Sequence, residues 1–146
     1  MNLSFKTGVI FTIMLLSCNK KVDCNLDLEY IDGLTYYKGK LYSGNCESFY
    51  KSGIQMNVQS YLNGMDNGEW NFYFKNGLLE TKAYFLNNKR HGDWIYYFDD
   101  GQKIRQISHY KNGKKDSIWT KYSGDKKIIW KKEFRNDSLI KVIEGS

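Results

Sequence analysis

Three cysteines, two histidines and a few clustered carboxylates are the residues here whose types could do chemistry. Acid–base, nucleophilic or metal chemistry needs such groups at fixed spacings. His91 stands before Gly92 in a turn-like stretch and His109 beside a tyrosine, so they form no His-x-x-x-His ligand spacing. No second cysteine cluster completes a zinc site. Asp99 and Asp100, just ahead of Gly101, read as turn formers rather than paired acid–base carboxylates. Asp66, Glu69 and Asp93 recur around a Gly-x-Trp step, which favours structure over calcium ligation. Phosphate loops and nucleophile elbows are absent from the sequence. The expectation is a non-enzyme with no catalytic residues, metal or cofactor.

The cysteines have a different chemistry in prospect. Met1 to Lys6 end in one positive charge, GVIFTIMLL forms a short apolar stretch, and Leu15-Leu16-Ser17-Cys18 follows at once. A basic n-region, a short h-region and a small residue before the cut describe a secretory signal. The cysteine immediately after it resembles the lipobox of bacterial lipoproteins. That resemblance implies cleavage after Ser17 and acylation of Cys18 with chains such as palmitate. Two or three acyl chains hold a protein stably on a bilayer, where one does not. Asn19 is not an aspartate, so the inner-membrane retention signal is missing and outer-membrane sorting is favoured in a diderm cell. The implied layout is a signal peptide and signal helix over 1–17, a lipidated tether over 18–36, and a repeat domain over 37–146.

With Cys18 assigned to lipid, Cys24 and Cys46 become an even pair in a compartment that permits disulfides. They are either bridged or two independent thiols, because geometry decides.

These groups must be carried by something, and the body of the chain is an internal repeat. Tyr61-Leu-Asn-Gly-Met-Asp-Asn-Gly-Glu-Trp70-Asn-Phe-Tyr-Phe-Lys-Asn-Gly77 is followed by Phe85-Leu-Asn-Asn-Lys-Arg-His-Gly-Asp-Trp94-Ile-Tyr-Tyr-Phe-Asp-Asp-Gly101. A third copy starts at Tyr110, and degenerate copies start at Tyr37 and Phe134, giving spacings of 24, 24, 25 and 24 residues. Asn-Gly or Asn-Asn supplies a tight turn needing positive φ. Gly44, Gly68 and Gly92, two residues before the tryptophan position, mark a kink or close backbone approach. Trp70, Trp94 and Trp119 bring aromatic area to one face, and Tyr73, Tyr97 and Tyr122 point to the other.

The GEW and GDW steps, followed by FYFKNG and YYFDDG, resemble the MORN-repeat variant of bacterial YwqK-type antitoxin proteins. The similarity covers about residues 37–134, and it implies a β-hairpin repeat used for binding or scaffolding. Ser117 and Ile118 depart from the pattern in the third copy.

The turn spacing predicts strands near 46–50, 54–62, 69–74, 78–86, 93–98, 103–110, 118–122, 128–134 and 139–144. Joined by short turns, they form an all-β antiparallel hairpin meander, a single sheet of about nine strands, wide enough to curl. Aromatics at 16% argue against disorder, and the chain has no proline to interrupt a ladder.

A single layer must bury, pair or expose its aromatic rows. Trp70, Tyr73, Trp94, Tyr97, Trp119 and Tyr122 are therefore candidate binding residues. Charge is also segregated: residues 18–101 carry 9 basic and 11 acidic groups, and residues 102–146 carry 12 and 5. The basic end suits anionic headgroups or an acidic partner, or protects exposed strand edges. The functional expectation is an envelope lipoprotein, held to the membrane by its lipid anchor, that binds a protein or glycan partner and no nucleic acid. The alternative is an antitoxin or immunity protein that captures a toxin directly.

Overall fold

The computed structural model describes residues 21–145, and every regular element among them is a β-strand. The expected signal helix and Cys18 lie outside the described residues. In chain order the strands are β1 (Val22–Asp23), β2 (Leu28–Ile31), β3 (Leu34–Tyr37), β4 (Lys40–Leu41), β5 (Gly44–Phe49), β6 (Gln55–Leu62), β7 (Met65–Asp66) and β8 (Gly68–Tyr73). They continue with β9 (Leu79–Leu86), β10 (Lys89–Arg90), β11 (Gly92–Tyr97), β12 (Ile104–Lys111), β13 (Lys114–Tyr122), β14 (Ile128–Arg135) and β15 (Ser138–Glu144). The main sheet has 12 strands and runs β1-β5-β6-β8-β9-β11-β12-β13-β14-β15, with β7 on β6 and β10 on β9. It is an open antiparallel meander, apart from the parallel β1–β5 pair.

Two kinds of turn set the register. At one edge, Asn63-Gly64, Asn87-Asn88, Asn112-Gly113 and Asn136-Asp137 all take positive φ at both positions. That is the two-residue turn whose twist matches that of paired strands, and asparagine tolerates it. At the other edge the turns are longer. Phe74 N–H donates to Leu78 O at 2.8 Å and Gly77 N–H to Phe74 O at 2.9 Å, and Phe98, Gly101 and Lys103 repeat the arrangement. Asp100 accepts from the backbone N–H groups of Gln102 and Lys103 at 2.9 and 2.8 Å. Those bonds hold its carboxyl below the usual aspartate range, as befits a turn former.

The strands bend at matching places. Register shifts fall at Ser48/Phe49, Phe72/Tyr73, Tyr96/Tyr97 and Lys121/Tyr122, once in each hairpin closed by a longer turn. Such bulges increase local twist and bend a strand, which lets a single layer wrap its aromatic face. At Gly68 the chain takes φ +101°, directly opposite Phe85. A Cβ there would meet the Ser60 Cβ at 3.2 Å. Ser117 holds the equivalent place in the third copy, opposite Phe134, at φ +57°, so the same backbone is built without glycine.

Two expectations need correction. The sheet is not single: β2, β3 and β4 form a separate antiparallel sheet of three strands. Asp32-Gly33 and Lys38-Gly39 make its turns with positive φ throughout. It lies over the first turn of the main sheet, where Thr35 N–H donates to Gly64 O at 2.8 Å and Asn88 Nδ2 donates to Gly33 O at 2.9 Å. Nor is the segment before residue 37 simply a tether, since it is folded from Val22 onward. Strand pairing of β2 with β3 and bonds such as Cys24 N–H to Glu47 O and Asp27 N–H to Asp23 O hold that segment in place.

Candidate interaction surface

An aromatic ladder holds the three tryptophans among the candidate binding residues. Rings run in sequence through Tyr37, Tyr42, Tyr61, Trp70, Phe85, Trp94, Tyr110, Trp119 and Phe134, with successive centroids 4.6 to 6.0 Å apart. Their tilted and edge-on packing is the arrangement aromatic quadrupoles prefer. Each indole is also satisfied at its polar end. The Nε1 of Trp70 donates to Ser60 O at 3.0 Å, that of Trp94 to Tyr84 O at 3.1 Å, and that of Trp119 to His109 O at 2.9 Å.

Of the outcomes open to that row, burial is the one observed, so the tryptophans offered as candidate binding residues do not form an exposed row. Trp94 and Trp119 are each only 7% exposed, and with Ala83 and Tyr110 they form the buried core. Trp70 is half-buried against that cluster. Cations close the remaining solvent side. The Arg90 guanidinium sits 4.8 Å from the Trp94 ring centre and 5.3 Å from that of Tyr110. The Lys115 ammonium lies 4.9 Å from Trp119 and 5.3 Å from Phe134. Sequence patterning located the row, but could not say which face the curl would cover.

Tyr73, Tyr97 and Tyr122 are half-buried and follow the bulge in each hairpin, at the edge away from the asparagine turns. The Tyr50 hydroxyl donates to Tyr73 O at 2.7 Å, tying the first hairpin to the next. The six predicted binding residues therefore do not share one surface. Two are core, one borders it, and three line an edge.

Cys24 and Cys46 form a disulfide, with Cα atoms 5.1 Å apart and a sequence separation of 22. Cys46 is fully buried. It stands 24 residues before Trp70, so in the first copy a half-cystine replaces the indole and joins the N-terminal segment to the sheet.

Four of the remaining polar candidates, His91, His109, Asp93 and Glu69, are occupied in structural contacts. His109 contacts Asp93 through Nδ1, and His91 Nδ1 accepts from Asn112 N–H at 3.5 Å. Glu69 pairs with Lys82 at 2.8 Å, and that contact draws the Glu69 carboxyl downward. Asp66 is half-buried, and burial pushes its carboxyl upward. Among the described residues, no group of three or more His, Cys, Asp or Glu side chains could hold a metal ion.

The asparagine-turn edge was not singled out from sequence. Its turns are linked from copy to copy by backbone bonds. The N–H of Gly64 donates to Tyr42 O, Asn88 to Asp66 O, Gly113 to Arg90 O and Asp137 to Lys115 O, at 2.7 to 3.0 Å. A cleft of about 660 Å³ opens along it, lined by Lys89, Lys111, Lys114 and Arg135 with Asn112, Asn136 and Asp116. The available signal was the recurrence of lysine beside the later turns. No family model and no curated protein matches the chain.

Proposed function

We propose that the chain is a non-enzymatic, membrane-anchored lipoprotein whose hairpin-repeat sheet serves as a binding or scaffolding module in the bacterial envelope. One observation carries the module part of this reading: the aromatic ladder is spent on the core, leaving a rigid run of bonded turns and charged hairpin edges as the outward surface. Such a surface recognises a partner by shape and charge. The anchor rests on the lipobox-like Leu15-Leu16-Ser17-Cys18, and the Cys24–Cys46 disulfide suits an oxidising compartment outside the cytosol. A bulky, rigid protein or glycan is the partner class that an extended surface favours, and outer-membrane placement follows from Asn19 in a diderm cell.

Membrane fractionation tests the anchor. Cys18→Ser should move the protein from the membrane to the soluble fraction, and unchanged association would refute lipidation. Crosslinking in the intact envelope through a C-terminal tag tests the module, since a scaffold or binding protein must give a discrete adduct.

The segregation of charge into an acidic first part and a basic second part also favours direct capture of a toxin, in line with the YwqK-type resemblance. Expressing the neighbouring reading frame with and without this chain separates the two readings. Absence of toxicity in every compartment would remove the antitoxin.

A further inference from the structure

The bonded turns form a rail on which the same pair of positions recurs. The residues flanking each turn are cross-strand partners: Leu62 with Met65, Leu86 with Lys89, Lys111 with Lys114, and Arg135 with Ser138. In the first of these copies the pair is apolar, so the fold does not need a cation there. Along the rail the pair changes to mixed, then to two lysines. Like charges directly opposite across a strand pair repel, so the structure tolerates Lys111 facing Lys114 rather than gaining from it. Lys89 sits close by, because a Cβ built on Gly113 would lie 3.8 Å from the Lys89 Cβ. Arg135 comes from the next copy and lines the same cleft.

Neutralisation from within the protein is slight. Among the described residues, no ion pair involves Lys89, Lys111 or Lys114, and Arg135 reaches Glu133 only at 4.0 Å. The one carboxylate lining the cleft, Asp116, accepts from its neighbour's Ser117 Oγ at 3.0 Å. Asn112 and Asn136 add side-chain amide donors at the rim. Four cationic residues therefore line a cleft of about 660 Å³ with a single acid.

We infer that this cleft is a binding site for a multiply charged phosphate group, held by Lys89, Lys111, Lys114 and Arg135. Phosphate esters fit because they present several acceptor oxygens and up to two charges to donors arriving from different sides, and the arginine fork matches their geometry. The inference rests on reading the sheet as a binding module, but not on the lipid anchor. The shared chemistry covers a soluble phosphate ester and a phosphorylated lipid headgroup.

The test uses the full chain carrying Cys18→Ser, so that no acyl chain reports on membranes. Calorimetric titration with inorganic pyrophosphate at low salt should give saturable binding. Lys111→Gln with Lys114→Gln should weaken it about tenfold or more, the consequence of losing two charge-assisted contacts. Lys126→Gln with Lys127→Gln removes equal charge from the loop at the opposite edge, and should leave affinity within about twofold. Absence of saturable binding, or equal weakening by both doubles, overturns the site. Without ligand, the Lys111/Lys114 double variant should melt no lower than the parent, because a repulsion has been removed. If it does melt lower, Arg135→Gln replaces it in the titration under the same criterion.

Co-sedimentation with phosphatidylcholine vesicles containing phosphatidic acid distinguishes the source. Retention competed away by pyrophosphate supports a headgroup in this cleft, and pyrophosphate binding without retention supports a soluble ester. Retention that Lys111→Gln with Lys114→Gln leaves intact overturns the assignment of a headgroup to this cleft. An envelope crosslink that fails while pyrophosphate still binds counts against the scaffold reading and not against the cleft.

Discussion

At the scale of single residues, the ladder makes its tyrosines and tryptophans unequal to their sequence neighbours. Burial pushes the hydroxyls of Tyr61 and Tyr96 up to about 12, with Asp66 adding to the rise at Tyr61 and Tyr110 at Tyr96. An unfolded tyrosine loses its proton near 10, so between about pH 10 and 12 the unfolded chain binds fewer protons than the native one. Stability from these two groups is therefore fully present below pH 10 and falls as pH rises through 12. Urea melts at stepped alkaline pH should show that decline, and Tyr61→Phe with Tyr96→Phe should flatten it. Trp94 is a sterner case. It is buried, touches rings on both sides, donates to Tyr84 O and lies under Arg90. Trp94→Ala should cost roughly 3–5 kcal/mol in chemical denaturation. A melting curve unmoved by it would mean that the ladder is not the core.

At the scale of elements, backbone sign explains both the repeat and its variants. Gly68 and Gly92 hold the same position in successive copies, at φ +101° and +61°. A Cβ at Gly92 would meet nothing nearer than Tyr84 Cβ at 4.0 Å, whereas at Gly68 it would press to 3.2 Å on Ser60 Cβ. Gly92→Ala should therefore cost about 1 kcal/mol, the conformational penalty alone, and Gly68→Ala measurably more. Equal losses in thermal melts would show that packing at Ser60 does not matter. These elements were well marked in the sequence: strands expected over 69–74, 78–86 and 93–98 are observed as β8, β9 and β11, each within one residue at its ends. Asparagine turns and glycine steps at a fixed period leave the register little freedom. The β2–β4 sheet was missed because its Asp32-Gly33 and Lys38-Gly39 turns stand outside the Gly-x-Trp pattern and join strands of two to four residues. The disulfide could only be offered as one of two states, since pairing depends on a separation that folding sets. The turn-edge cleft was harder still. It gathers side chains about 24 residues apart, and only the stacking of copies makes Lys89, Lys111 and Arg135 neighbours.

At the scale of the whole molecule, an open meander is nearly one-dimensional: each hairpin touches the one before and the one after, and its ends need protection. The two ends are protected differently. At the far end β15 exposes Leu139, Ile140, Val142 and Ile143, and Lys141 with two register shifts against β14 interrupts what would be a flat apolar edge. At the near end the parallel β1 strand, the Cys24–Cys46 disulfide and the small β2–β4 sheet cap β5 and β6. Opening that disulfide should destabilise by about 3 kcal/mol on the chain-entropy model for a loop of this length. In a one-dimensional array the loss should not spread evenly. Hydrogen exchange with and without reductant should show protection falling in β1 and β5, while β11, β12 and β13, whose ring contacts run through Trp94, Tyr110 and Trp119, keep theirs. A uniform fall across all strands would mean that the sheet unfolds as a single cooperative block. The N-terminal cap would then be supporting the entire ladder rather than closing one end of it.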